Sequence, residues 1–373
     1  MGACDSLGEE REKRSGIISM GGLSDGGRTN AKYCYEKGDY ILPTSICKRD
    51  DVMKYYSLSS KVLGSGASGQ VYIGERNGMK YAVKRISKAK IKYADEAILE
   101  AKISLSLRHP NIIKYYEIFE DLKFITYIMD LGDGGDLFDF ITGCPTGHLP
   151  SDIAIDLLIQ MFDVIAYLHS VGIMHRDLKP ENFMISINAS NKPILKLIDF
   201  GLATYIPQGD NKVRQFVGTP EYAAPEICSK SGYREKVDEW ALGVIMFNML
   251  TGFEPFNGRD RDALKDNICY GTIQFNYIQD EELRMLNARL LERIINRRIS
   301  SREALALVRQ IKQRREMGSR CMSPQVRGGN TQSFSSSIVQ STSQNSLVIP
   351  NMNFGFPKYS NSNYNNYNMM YGH

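Results

Sequence analysis

The 373-residue chain has a single tryptophan, and its seven cysteines include no C-x-x-C pair. Its five histidines form no ligand cluster. Neither a structural zinc site nor a disulfide framework is therefore expected, and the thiols are read as reduced, as in the cytoplasm. No stretch approaches the roughly 18 consecutive apolar residues of a membrane span. The best run, Ala241–Leu250, reads as a buried core helix. Met1–Ser15 is polar and charged, without the apolar segment of a secretory signal. The net charge of +4 is too mild to point to a nucleic-acid partner, and none is expected. From Met317 onward there is no Asp or Glu, and Ser, Asn, Gln, Gly and Tyr dominate. Such a segment buries too little apolar surface to offset its ordering entropy, so residues 313–373 are expected to be a disordered tail. With 42% apolar residues, the remainder has enough for substantial cores.

The chemistry concentrates in His175–Arg176–Asp177–Leu178–Lys179–Pro180–Glu181–Asn182, which packs an acid, a lysine and an amide carbonyl around a proline. Phosphoryl transfer to a hydroxyl calls for that set. Asp177 would take or orient the hydroxyl proton, Lys179 would offset charge on the moving phosphoryl group, and Asn182 would hold a metal ion. The apolar run Ile194–Ile198 reads as a strand and leads into Asp199–Phe200–Gly201. A carboxylate at a strand end beside glycine is well placed to ligate Mg²⁺.

On these motifs the segment from Tyr56 to Lys312 resembles a eukaryotic protein kinase. Within that family it is most similar to the calcium- and calmodulin-dependent group, especially the kinase domain of calcium-dependent protein kinases. The resemblance implies an α+β, two-lobed fold. A small, mostly antiparallel β lobe with one key helix would span 56–130, and a larger helical lobe 131–312, after an N-terminal signal and linker over 1–55. It also implies ATP and Mg²⁺ as cofactors and protein substrates.

In the small lobe, Gly64, Gly66 and Gly69 form a G-x-G-x-x-G between two strand-like runs, the context of a lid over ATP phosphates. Leu63, Ser65 and Val71 complete the lid's share of the nucleotide site. Where the family usually has an aromatic residue at the lid tip, this chain has Ser68. Tyr81–Ala82–Val83–Lys84 resembles the strand carrying the phosphate-pairing lysine, with Ala82 also in the nucleotide site. A helix is expected over about Ala94–Leu107, and Glu100 in it is the implied partner of Lys84. Ser104, one turn later, stands where the family has an apolar residue and is expected to loosen this helix. Lys123–Met129 reads as a buried strand. The resemblance puts Met129 at the back of the adenine pocket and Asp130 and Gly132 in the hinge, with Met184 also in the nucleotide site. The acidic stretch Asp130–Asp136 lacks the alternating ligand order of a calcium loop, and no other EF-hand loop occurs in the sequence.

In the large lobe, a long helix is expected from Ser151, a candidate N-cap, to about Val171, with the catalytic loop at its end. Between Gly201 and Gly218–Thr219–Pro220–Glu221–Tyr222, the only hydroxyl residues are Thr204 and Tyr205. Many kinases carry a phosphorylated threonine where this chain has Gln215, so another contact must settle the loop and activity without loop phosphorylation is expected. Thr219 resembles the threonine that bonds the catalytic Asp and Lys, a serine/threonine-kinase feature. Glu226 is expected to pair with Arg298, and Asp238–Glu239–Trp240 to open a core helix beneath the catalytic loop. Asp136 and Glu181 stand where relatives select a basic residue near the acceptor.

Met1–Gly2–Ala3–Cys4–Asp5–Ser6 fits the myristoylation pattern at Gly2, with Cys4 available for a second acyl chain. Two chains hold a membrane stably where one does not, so attachment at the cytoplasmic face of a membrane is expected. Gly16–Arg28 reads as linker. Near the other end, Ala304, Leu305, Leu307, Val308 and Ile311 with Arg309, Lys312, Arg314 and Arg315 outline a basic amphipathic helix. It reads first as the last helix of the large lobe and second as a calmodulin-binding or inhibitory segment. The rival to an enzyme is a membrane-anchored pseudokinase scaffold, which the Ser68 and Ser104 departures would suit.

Overall fold

The computed structural model describes residues 40–66, 69–132 and 134–321. The expectations for Gly2, Cys4, Gly16–Arg28, Ser68 and the segment from 322 onward lie outside these residues.

The small lobe is built on β1 (Ser57–Gly66), β2 (Gly69–Arg76), β3 (Met79–Ser87), helix α1 (Ala94–Ser106), β4 (Tyr115–Glu120) and β5 (Phe124–Asp130). The strands form one antiparallel sheet in the order β1-β2-β3-β5-β4. β5 is buried almost throughout because both faces of the sheet are covered. Ala82, Ile125, Tyr127 and Met129 belong to the main core with residues of α1, whereas Val83, Phe119 and Ile128 pack with Val52 and Tyr56 on the other side.

Those last contacts alter the expected layout. The residues before Tyr56, expected as linker, are part of the lobe from Ile41 on. Ile41, Leu42, Cys47 and Val52 are buried. Lys48 pairs in parallel with Phe119, its amide donating to the Ile118 carbonyl at 2.8 Å, so the β4 edge is covered. The anchor is Glu120, fully buried, which accepts from the backbone amides of Ile41 and Leu42 and pairs with Lys88 Nζ at 3.1 Å. Burying a carboxylate is costly unless its oxygens meet such a set of donors.

The large lobe follows with α2 (Leu137–Thr142), α3 (Ser151–Ser170), the short strands β6 (Ile173–Met174), β7 (Phe183–Ile187), β8 (Pro193–Leu197) and β9 (Thr204–Tyr205), then α4 (Pro225–Cys228), α5 (Lys236–Thr251), α6 (Arg261–Tyr270), α7 (Glu281–Leu290) and α8 (Ser301–Cys321). The expected two-lobed α+β architecture is therefore present. α3 is long and apolar enough to cross a membrane by length and composition, but Leu157, Leu158, Met161, Phe162, Ile165 and Leu168 are buried in the lobe core. Its cap differs from expectation: Pro150 holds the N-cap position and Ser151 is the first helical residue. The Ser151 hydroxyl instead serves the Asp280 carboxylate.

α8 runs past the expected boundary at Lys312. Its apolar stripe, including Ala304, Val308 and Ile311, is buried. Its basic face is also engaged: Arg309 pairs with Asp163, Lys312 with Asp156 at 2.6 Å, and Arg315 with Asp280 at 2.7 Å. This is the first of the two readings of the segment, a helix of the large lobe with its charges neutralised against α3 and α7. A calmodulin-like ligand would have to displace these pairs.

Candidate active site

The loop between β6 and β7 is fixed from below by α5. Asp238, at the start of that core helix, accepts from the backbone amides of His175 (2.8 Å) and Arg176 (2.9 Å). The same carboxylate accepts from His169 at 2.9 Å, and Glu239 lies 3.2 Å from the other ring nitrogen. Burial opposes charge on His169, but the two carboxylates prevail and raise its pKa to about 10, so it remains a cation below them. Arg176 and Asp199 both adopt left-handed backbone, with φ of 70° and 62°. Such conformations cost free energy in non-glycine residues and persist where surrounding bonds over-determine them.

Two clusters result. In the first, Asp177 Oδ1 accepts from the Thr219 amide (2.9 Å) and the Thr219 hydroxyl (2.8 Å). Lys179 Nζ lies 3.1 Å from Thr219 Oγ1 and 3.3 Å from Asp177 Oδ2. Asn182 Nδ2 donates to the Asp177 carbonyl at 2.7 Å. Gly218 permits this closure: its φ is +93°, and a Cβ there would run into the Arg176 carbonyl. In the second cluster, Lys84 Nζ stands between Asp199 Oδ1 (2.9 Å) and Glu100 Oε1 (3.3 Å). Burial disfavours the ammonium, but Asp199 and Glu100 outweigh it and hold the Lys84 pKa above the ordinary lysine value. Asp199 Oδ1 also accepts from the Gly201 amide at 3.1 Å. The counting that selected Glu100 is thus matched by an ion pair.

Between the clusters, Phe200 is fully buried and packs edge-on against His175 (5.4 Å) and Tyr115 (6.4 Å). Ser104 is buried beside the Tyr115 phenol. The buried Tyr127 hydroxyl finds no hydrogen-bond partner among the described residues. Sequence reasoning noticed Ser104 but missed the two tyrosines that share its surroundings. Their phenols carry no local signature, since in a strand they read simply as β formers.

The nucleotide-site candidates are distributed around the cleft. Gly66 faces Gly69 across the β1–β2 turn and Gly64 faces Val71; Leu63 and Ser65 lie on the same strand, β1. Ala82 and Met129 are partners across β3 and β5. Met184 lies against Gly132 and pairs with Asp136 across an isolated bridge. The Asp130 side chain is committed elsewhere, accepting from Tyr116 Oη at 2.6 Å and pairing with Lys196 at 3.0 Å. Asp130 would therefore meet a base through its backbone. Asn182 and Asp199 offer hard oxygen donors suited to Mg²⁺. Because the Asn182 amino group is spent on Asp177, its carbonyl oxygen is the end left for a cation.

An acidic surface borders the first cluster. Burial pushes the Asp136 carboxyl up to about 6, opposed by the Asp139 amide it accepts and reinforced by the Asp139 and Glu181 charges. Glu254 is raised by burial and then by the charges of Glu221 and Glu181. Glu181 Oε2 is buried without a hydrogen-bond partner among the described residues. None of Asp136, Glu181, Glu221 and Glu254 has an ion-pair partner among them. Glu254 and Glu221 were not singled out from the sequence, because only the fold brings them to Glu181.

A paired lysine and glutamate across a small β lobe, an aspartate held by a threonine and a lysine, and a second aspartate at a strand end define a protein kinase site. The protein kinase domain family matches residues 57–318, and the chain belongs to that family. The relatives it is similar to are serine/threonine kinases, several of them named as calcium-dependent. It is 34% identical over 273 residues to calcium-dependent protein kinase 5 of Plasmodium berghei (strain Anka), covering 73% of this chain and 48% of that protein. To calcium/calmodulin-dependent protein kinase type IV of Rattus norvegicus it is 39% identical over 222 residues, 58% of this chain and 44% of that protein. To serine/threonine-protein kinase DCLK3 of Mus musculus it is 38% identical over 231 residues, 60% of this chain and 28% of that protein. The chain thus spans about half or less of the length of these relatives.

Proposed function

We propose that the protein transfers the γ-phosphate of Mg-ATP to serine or threonine hydroxyls of proteins and favours substrates with basic residues before the acceptor. The observation that carries the transfer is the paired geometry of Asp177–Thr219–Lys179 and Glu100–Lys84–Asp199. Thr219 holds one Asp177 oxygen by two hydrogen bonds, so the carboxylate is fixed to receive the acceptor proton. Lys179, shared between Asp177 and Thr219, sits where it can offset charge on the moving phosphoryl group. Glu100 and Asp199 fix the Lys84 ammonium by ion pairs, from where it would meet the α- and β-phosphates. Asn182 and Asp199 are the residues that would hold Mg²⁺, whose charge would offset that of the phosphates. The hydroxyl preference rests on Lys179 and Thr219.

The basic preference rests on the unpaired carboxylates Asp136, Glu181, Glu221 and Glu254, and above all on the buried Glu181 oxygen that lacks a donor. An arginine of the substrate would supply that donor and relieve the mutual repulsion. The test compares transfer to a serine peptide carrying arginine three residues before the acceptor with transfer to its alanine-substituted version. A lower KM for the arginine peptide is expected, and equal kcat/KM on both overturns the preference. Acylation at Gly2 and Cys4, with attachment to the cytoplasmic face of a membrane, rests on the N-terminal motif. Gly2→Ala should release the protein to the soluble fraction, and unchanged membrane partition counts against it.

A further inference from the structure

We infer that Gln215 is the positioning residue that locks the activation segment and α1 together, in the place where a charged group would otherwise be required. The inference rests on the phosphotransfer reading and concerns how that site is held in its working geometry.

Arg176 lies beside the catalytic aspartate, yet no carboxylate of the described residues pairs with it. Its partners are uncharged: Nε donates to the Leu202 carbonyl (2.6 Å), and Nη1 to Gln215 Oε1 (3.3 Å) and Tyr233 Oη (3.4 Å). The other end of the Gln215 amide, Nε2, donates to Glu96 Oε1 at 3.4 Å. Gln215's own carbonyl accepts from Tyr233 Oη at 2.8 Å, and Val213 and Tyr233 exchange both backbone hydrogen bonds. The segment is therefore clamped on its backbone by Tyr233 and on its side chain by a cation and an anion.

Glu96 is one turn before Glu100 on α1, so the two side chains share a face of the helix. Holding Glu96 fixes the rotation that presents Glu100 to Lys84. An amide is suited to this bridge because it has an acceptor end for a guanidinium and a donor end for a carboxylate. Glutamate would satisfy Arg176 but face Glu96 with like charge, and lysine or arginine would do the reverse. No hydroxyl residue stands between Tyr205 and Gly218, so the segment near Gln215 has no site at which phosphate could supply the charge. The contact that the sequence required but did not identify is this neutral bridge.

The experiment uses the full chain and two readouts, peptide phosphorylation and hydrogen exchange of residues 94–106. Gln215→Ala and Gln215→Glu are each expected to lower kcat/KM about tenfold, the order of one charge-assisted hydrogen bond, and to speed exchange in α1. Combining Gln215→Glu with Glu96→Gln exchanges the two roles, since a carboxylate then meets Arg176 and an amide meets that carboxylate. That pair is expected to recover wild-type exchange and rate, which a packing role alone would not do. Phosphatase treatment of the wild type is expected to leave both readouts unchanged. The inference is overturned if Gln215→Glu matches the wild type, if Glu96→Gln gives no rescue, or if phosphatase loosens α1. A wild type that transfers no phosphate but shows the same exchange pattern would remove the proposed activity and keep the bridge.

Discussion

Arg298→Ala should be among the most damaging single changes outside the two catalytic clusters. Arg298 is 2% exposed, its Nη1 and Nη2 reaching the two Glu226 oxygens at 2.6 and 3.0 Å. It also donates to the carbonyls of Glu292 (2.9 Å) and Lys236 (2.7 Å) and lies 5.1 Å above the Trp240 ring. Truncation leaves a buried carboxylate without its cation and two carbonyls without their donor. Breaking a buried pair from one side costs about 3–5 kcal/mol. At roughly 2–4 °C per kcal/mol for a domain of this size, the melting temperature should fall by about 6–20 °C. Arg314→Ala is the control: its pair with Glu282 is largely exposed and is worth about 0–1 kcal/mol. Removing both buried charges, Arg298→Met with Glu226→Met, should recover much of the loss, because no ion is then left unpaired. Thermal melts of the four proteins read this directly. An Arg298→Ala melt within the error of Arg314→Ala would refute the reasoning, since burial and bidentate geometry would then count for nothing.

Because the Asp136 carboxyl is raised to about 6, its charge is present above that pH and lost as pH falls through it. The KM for an arginine-containing peptide should therefore rise between pH 7.5 and 5.5, while that of the alanine version stays level; parallel curves for the two would contradict a role for Asp136. Tyr127→Phe removes a buried hydroxyl that has no partner among the described residues, so denaturant unfolding should show no loss and a gain of up to about 1 kcal/mol. A destabilisation of more than about 1 kcal/mol would mean that the hydroxyl is satisfied after all.

What the sequence made legible was local. His175–Asn182, Asp199–Gly201 and the glycine lid are contiguous motifs, and their chemistry can be read from residue types at fixed spacing. Glu100 was selected by counting from His109–Pro110, and an ion pair to Lys84 is found there. The long-range pieces were not legible in the same way. The residues from Ile41 to Tyr55 look like a polar linker because their anchor, Glu120, is nearly 80 residues away and reads as an ordinary strand-end glutamate. Ser151 fitted an N-cap by type, but Pro150 already sets an extended backbone there and the hydroxyl goes to Asp280. The basic face of α8 kept a ligand-binding segment open as a second reading, because the acids of α3 and α7 that meet it are brought there only by the fold. Gln215 was noticed only for what it is not, since Glu96 and Arg176 meet it through the fold alone.

The most direct test is transfer of labelled γ-phosphate from Mg-ATP to an arginine-containing serine peptide, comparing the wild type with Asp177→Asn. Asparagine keeps an oxygen for Thr219 but cannot take the proton, so ATP binding should persist while kcat drops about 10²- to 10⁴-fold. Equal rates from the two proteins would contradict Asp177 as the base, and a folded wild type that binds ATP and transfers nothing would contradict the transfer itself and leave a nucleotide-binding scaffold.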